Sequence, residues 1–150
     1  MKKTVSFLLM MTMLLTAFNV TAFANVRLSD ISTHWAKADV ERSVQLGFIN
    51  GYEDGTFRPD NTITRAEFVS ALIRALKISA TKDTSVFVDD NNWAEKSIQA
   101  AIENELILTN EYDDLKFQPS KNITRQEIAV MLVRAMDKAK EAEDKGFLAK

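Results

Sequence analysis

The sequence predicts an all-α protein, two tandem helix-loop-helix units packed as a small helical bundle. Two observations carry this reading. First, the chain repeats itself: Trp35-Ala36 returns as Trp93-Ala94 after 58 residues, while Phe57-Arg58-Pro59 and Ile63-Thr64-Arg65-Ala66-Glu67 return after 60 as Phe117-Gln118-Pro119 and Ile123-Thr124-Arg125-Gln126-Glu127. Second, apolar residues within each copy recur at helical spacing instead of alternating. The length, 150 residues, suits one ordinary domain or two small similar units.

The first 24 residues are expected to be a secretion signal peptide. Lys2 and Lys3 precede an uncharged apolar run from Val5 to Phe18, and Ala22-Phe23-Ala24 supplies the small-x-small pattern of a cleavage site. The run is shorter than the roughly 20 apolar residues of a membrane span, and no later segment is apolar enough to make one. Cleavage after Ala24 leaves an exported chain with no membrane span.

Residues 25–78 form the first unit. Its first helix places Ala36, Val40, Val44, Gly47 and Phe48 on one face. Asp54-Gly55 marks a turn, and Pro59 restrains the residue before it, so the chain between the helices is expected to be extended. The second helix starts at Thr64, whose hydroxyl can cap it, with Glu67 three residues on to complete a capping box. Phe68, Val69, Leu72, Ile73 and Leu76 then spread over more than one face, which places this helix in a shared core with the first helices outside.

A polar linker, 79–86, leads to the second unit, 87–137. Ala94, Ile98, Ala101, Ile102 and Leu106 line its first helix; Thr124 and Glu127 repeat the capping box; Ile128, Met131, Leu132 and Met136 follow. Its loop, Thr109 to Phe117, has no glycine and carries two extra residues. The charged tail, 138–150, is expected to prolong the last helix.

Composition removes several functions. With 19 Lys+Arg against 21 Asp+Glu the chain is not a basic nucleic-acid binder. The absence of cysteine excludes disulfides, thiol nucleophiles and zinc ribbons, and a single histidine excludes two-imidazole metal sites. A calcium-loop reading of 50–61 fails because Tyr52 and Asn61 stand where ligand oxygens and a bidentate Glu are required. Carboxylates such as Asp54 and Glu67 show nothing that would split their pKa values for wall hydrolysis, and Glu67 and Glu127 read as caps. No catalytic residue, metal or cofactor is expected.

The ordered set of Trp-Ala, Gly51-Tyr52-Glu53-Asp54-Gly55-Thr56-Phe57-Arg58-Pro59 and Ile63-Thr64-Arg65-Ala66-Glu67, followed by a weaker second copy, resembles the S-layer homology family. The resemblance covers nearly all of the chain after residue 24. It implies a non-catalytic module, usually of three helix-loop-helix units around a pseudo-threefold axis, that holds exported proteins on bacterial cell walls. The implied ligand is a secondary polysaccharide linked to peptidoglycan and often bearing a pyruvate ketal, received in grooves between units, with the Arg of the Thr-Arg-Ala-Glu motif facing the acidic sugar. Only two copies are present here.

The residues suit that chemistry. Arg65 and Arg125 follow helix caps, where free amides and the helix dipole favour an anion, and a guanidinium can pair with a carboxylate at two points. Arg65 is expected to be the main contact and Arg125 the second, with Arg65→Ala weakening wall binding at unchanged helix content. Gly51, Asp54 and Gly55 are expected to shape the loop beside them. Trp35 and Trp93 are expected to wedge the helices in the core, Trp35 also lining or buttressing the groove. His34 is expected to be exposed or hydrogen-bonded. The alternative is a protein-interaction or self-assembly module of the same fold without a sugar ligand, in which the chain pairs with itself or with a related partner and buries an open apolar edge.

Overall fold

The computed structural model describes residues 28–82, 86–89 and 93–144. The expected signal peptide, 1–24, lies outside them, as do the middle of the 79–86 linker and the last six residues of the tail. Among these residues four helices follow in order: α1 (Lys37–Gln45), α2 (Arg65–Leu76), α3 (Glu95–Glu103) and α4 (Arg125–Asp144). Two short 3₁₀ turns, Thr109–Glu111 and Asp113–Leu115, fill the second loop. The described residues contain no strand, so the all-α class stands; one antiparallel bridge joins Thr64 to Asn122.

Both capping boxes form. Glu67 N donates to Thr64 Oγ1 at 3.2 Å while Thr64 N donates to Glu67 Oε2 at 2.8 Å. The same two bonds, with the same lengths, join Glu127 and Thr124. Each box satisfies orphan amides at a helix start and contributes about 1 kcal/mol. The helix ends are reached differently from the expectation. Helix α1 stops at Gln45, short of the face drawn through Gly47 and Phe48, because Gly47 turns left-handed (φ 74°) and Phe48 N closes onto Ser43 O at 3.0 Å. Lys77 (φ 55°) and Glu105 (φ 56°) make the corresponding turns after α2 and α3 without glycine.

The chain ahead of each proline also departs from the expected extended form. Arg58 (φ 59°) and Gln118 (φ 54°) are both left-handed. The cause is Asp30, which accepts Phe57 N and Arg58 N at 2.8 and 2.7 Å, and its repeat partner Asp89, which accepts Phe117 N and Gln118 N at 2.8 Å each. Two charge-assisted bonds outweigh the roughly 1–2 kcal/mol of steric strain at one such residue.

The core is a joint between the units. Ala66, Val69 and Ile73 of α2 pack with Ile98, Ala100 and Ala101 of α3, then with Phe87, Leu106, Ile107, Phe117, Met131 and Ala135. So α2 is central as expected, but α3, a first helix, is central too; its paired alanines let α2 approach closely. Helix α1 stays outside over a small cluster of its own, Leu28, Ile31 and Val40. The two tryptophans are not core residues. Trp35 is 87% and Trp93 67% exposed, because the following alanine takes the inward place at each helix start: Ala94 is fully buried and Ala36 packs against the smaller cluster.

Glu103 fastens the linker to α3. Its carboxylate accepts Thr81 N and Thr81 Oγ1 at 2.8 Å, Lys82 N at 3.0 Å and Gln99 Nε2 at 3.0 Å. The Gln99 amide, followed by Thr81, holds it at about 2, below its ordinary 4.5. A depressed carboxyl stabilises the fold above its unfolded value and loses that contribution as pH falls through the folded one. The Thr81 and Lys82 amide resonances are therefore expected to shift as pH drops from about 4.5 to about 2, and Glu103→Gln to abolish that transition. A transition that survives in the variant would assign it to another group.

Candidate functional site

Arg65 bolts the two units together. It is the first residue of α2, directed by the Thr64 cap across to the second unit, and it is 8% exposed. Its Nη1 donates to Phe117 O at 2.8 Å and its Nη2 to Glu127 Oε1, while the guanidinium lies 5.4 Å from the centre of the Tyr112 ring. Glu127 thus serves twice, with Oε2 in its own capping box and Oε1 on Arg65. Burial pushes the Glu127 carboxyl up, but hydrogen bonds from Thr124 and Arg65 bring it below its ordinary value.

The amides at the start of α2 are consumed by the same seam. Arg65 N donates to Lys121 O at 2.9 Å and Ala66 N to Pro119 O at 3.0 Å. Among the described residues the equivalent amides of α4, at Arg125 and Gln126, have no such acceptor. The two motif arginines therefore differ: Arg65 stands at a closed helix start, and Arg125, exposed, at an open one.

Beside the bolt lies a groove of about 410 Å³, lined by Arg65, Tyr112, Thr124, Gln126, Glu127 and the pair Glu111–Arg134, over Val130 and Met131. Arg134 donates to Glu111 from Nη1 at 2.9 Å and from Nη2 at 2.5 Å. That pairing holds the Glu111 carboxyl below its ordinary range. A second cavity of about 420 Å³ lies between the end of α2 and the start of α3, lined by Arg74, Lys82, Lys96 and Gln99 among others. Only the first combines paired guanidinium groups, an aromatic ring and residues of both units. Both guanidinium groups already hold a carboxylate there, Arg65 that of Glu127 and Arg134 that of Glu111, with Thr124 and Gln126 as the neighbouring polar side chains.

A family model for the S-layer homology domain matches residues 27–69 and 89–129, more than half of the chain. The chain belongs to the S-layer homology family. The two matched segments are the two halves of the seam, so the groove lies between S-layer homology units. The chain is 33% identical over 145 residues to an endoglucanase of Bacillus sp. (strain KSM-635), covering 91% of this chain and 15% of that protein. It is 30% identical over 146 residues to the middle cell wall protein of Brevibacillus brevis, covering 91% of this chain and 14% of that one. Against the cellulosome-anchoring protein of Acetivibrio thermocellus it is 38% identical over 97 residues, 61% of this chain and 21% of that protein. The chain thus spans between a seventh and about a fifth of these relatives, and the enzymatic name belongs to a protein of which the shared region is a small part.

Of the residues expected from sequence to contact a ligand, Arg65 lines this S-layer homology groove; Thr124 and Glu127, expected as caps, line it too. Arg125 begins α4 beside Thr124 and Gln126, which line it. Asp54, Gly55 and Gly51 serve the loop of the first unit. Asp54 accepts Thr56 Oγ1 at 2.6 Å, Thr56 N at 3.0 Å and Arg58 Nη2 at 2.7 Å, and the Thr56 and Arg58 bonds hold it at about 2. Gly55 takes a left-handed φ of 77°, and a Cβ on Gly51 would strike Leu28 and stand 2.9 Å from Thr56 O. Trp35 lies against His34, ring centres 5.5 Å apart, and His34 Nδ1 accepts Ala36 N at 3.2 Å while Nε2 stands 3.4 Å from Asp60. Sequence reasoning missed Tyr112, Glu111 and Arg134. Tyr112 repeats Tyr52 at the 60-residue shift, a signal the repeat held; Glu111 falls at the same shift on Gly51, which carries no side chain to point to it.

Proposed function

We propose that this S-layer homology protein is exported and retained on the bacterial cell wall, non-covalently, by an acidic secondary polysaccharide seated in the groove between its units. The observation that carries this reading is one cleft between the units in which two guanidinium groups, each already holding a carboxylate, stand beside hydroxyl and amide side chains. Carboxylate-bearing sugars, a pyruvate ketal among them, need that combination: a two-point cation for the acid and polar groups for the ring hydroxyls. Net charge argues that recognition is local, since without Lys2 and Lys3 the chain has 17 basic and 21 acidic residues and the wall is itself anionic. The relatives named for the cell wall and for anchoring lend weight to that location. Residues 1–24 act as the export signal. Arg65 forms the floor of the groove, Arg125 offers a second contact at the open start of α4, the loop of Gly51, Asp54 and Gly55 presents a further polar edge, and Trp35 offers an apolar face to a sugar ring. The role is binding, without reaction or cofactor. No helix among the described residues is long and apolar enough to cross a membrane.

Co-sedimentation with two wall preparations tests this. The protein is expected to pellet with walls that keep their secondary polymer and to stay in solution with walls stripped to bare peptidoglycan. Equal pelleting with both would make peptidoglycan the ligand. A second reading has its own observation: Leu132, Val133 and Met136 of α4 are 43%, 57% and 71% exposed, an apolar strip suited to a second copy or a related partner. Pelleting with neither wall, together with a doubled mass by light scattering, would favour that assembly role.

A further inference from the structure

Arg65 is poorly placed to meet an incoming acid. Its guanidinium is already divided between Phe117 O and Glu127, and Glu127 is held by Thr124 N and Thr124 Oγ1 at 2.8 and 2.7 Å as the cap of α4. A ligand carboxylate could take Arg65 only by opening the seam and disturbing a helix start. Arg134 lines the same groove and is tied to nothing of that kind. Its strong partner is Glu111, with a longer contact from Nη1 to Leu106 O at 3.3 Å. The pair is a two-point guanidinium–carboxylate contact, the arrangement a bound acid would make.

Resting on the wall-polymer reading, we infer that Arg134 is the groove's receptor for the ligand carboxylate, and that Glu111 is a resident stand-in for that carboxylate which the ligand displaces. Glu111 is free to leave. It sits on a three-residue 3₁₀ turn whose backbone makes one bond from Glu111 N to Leu108 O at 3.1 Å and one from Tyr112 N to Thr109 O at 3.3 Å, and it caps no helix. Its side chain and that of Arg134 are 43% and 23% exposed, against 21% and 10% for Glu127 and Arg65. The exchange is charge-neutral at the groove: one carboxylate enters as another swings into water. The placement also gives the altered second loop a role. Glu111 directly precedes Tyr112, where Gly51 directly precedes Tyr52, so the second loop carries an acid at a position where the first has glycine. A structural clamp and a displaceable stand-in predict opposite effects of removing Glu111.

The test is isothermal titration of the whole protein with a simple acidic probe, methyl glucopyranoside carrying a pyruvate ketal across O4 and O6, with Glu111→Gln, Arg134→Gln and Arg134→Lys beside the wild type. Glu111→Gln is expected to bind about threefold to fivefold more tightly, as a competing surface pair is removed. Arg134→Gln is expected to lose at least about tenfold, and Arg134→Lys to fall between as a one-point cation. Unchanged or weaker binding by Glu111→Gln overturns the inference, as does wild-type affinity in Arg134→Gln. If Arg134→Gln does not fold, Glu111→Gln and Arg134→Lys decide. Wild-type pelleting with polymer-bearing wall but no gain in Glu111→Gln sinks this inference and leaves the anchoring role standing; failure of every variant on both probe and wall removes both.

Discussion

Replacing Arg65 with alanine lowers the free energy of unfolding by about 2–4 kcal/mol, whereas the same change at Arg125 alters it by less than about 0.5 kcal/mol. The two residues hold the same place in the same motif, so the difference comes from tertiary surroundings alone. Removing the Arg65 side chain leaves the Phe117 carbonyl and one oxygen of Glu127 without a donor at the closed seam. Breaking a buried pair from one side costs about 3–5 kcal/mol, and the partial exposure of Glu127 reduces that. Arg125 is exposed and makes no ion pair among the described residues. Urea denaturation of both variants measures the gap, and equal losses would show that Arg65 does not join the units. Arg65→Ala is accordingly expected to be less stable even where its helix content is unchanged, so the groove variants are the cleaner test of binding.

Phe117→Ala is expected to cost about 3–5 kcal/mol, and Phe57→Ala, its repeat equivalent, clearly less. Phe117 is fully buried, with ring centres 5.3 Å from Phe87 and 5.4 Å from Tyr112. Truncation would leave a void in the joint between the units and unseat the Tyr112 ring beneath Arg65. Phe57 is only partly buried, against the small cluster under α1. Thermal unfolding of the two variants should separate by several degrees, since about 1 kcal/mol moves the midpoint by about 3–5 °C at this size. Coincident midpoints would mean that the units are energetically equivalent, contrary to the burial.

Much of the fold was legible before any coordinates. The repeat, the helix starts at Thr64 and Thr124 and the turn at Asp54-Gly55 are all written in local patterns, because capping and turn formation depend on residues three or four apart. Helix ends were harder. Lys77 and Glu105 adopt left-handed turns that no glycine announces, and the pre-proline Arg58 and Gln118 do so under the pull of Asp30 and Asp89, 28 and 29 residues away. The tryptophans were misjudged because bulk suggests burial, while the adjoining alanine fits the narrow approach to the helix start.

By itself the sequence determined that there are two units, that each is two helices with a capping box at the second, and that arginine follows each box. It also held the family pattern. Only the tertiary structure decided which arginine is a bolt and which stays open, because that depends on whether a neighbouring unit supplies a carbonyl and a carboxylate: Phe117 O and Glu127 lie 52 and 62 residues from Arg65. The same holds for the groove. Arg134 and Glu111, 23 residues apart on a helix and a 3₁₀ turn, meet only once the helices pack, and no local rule of spacing foretells a contact made across a fold.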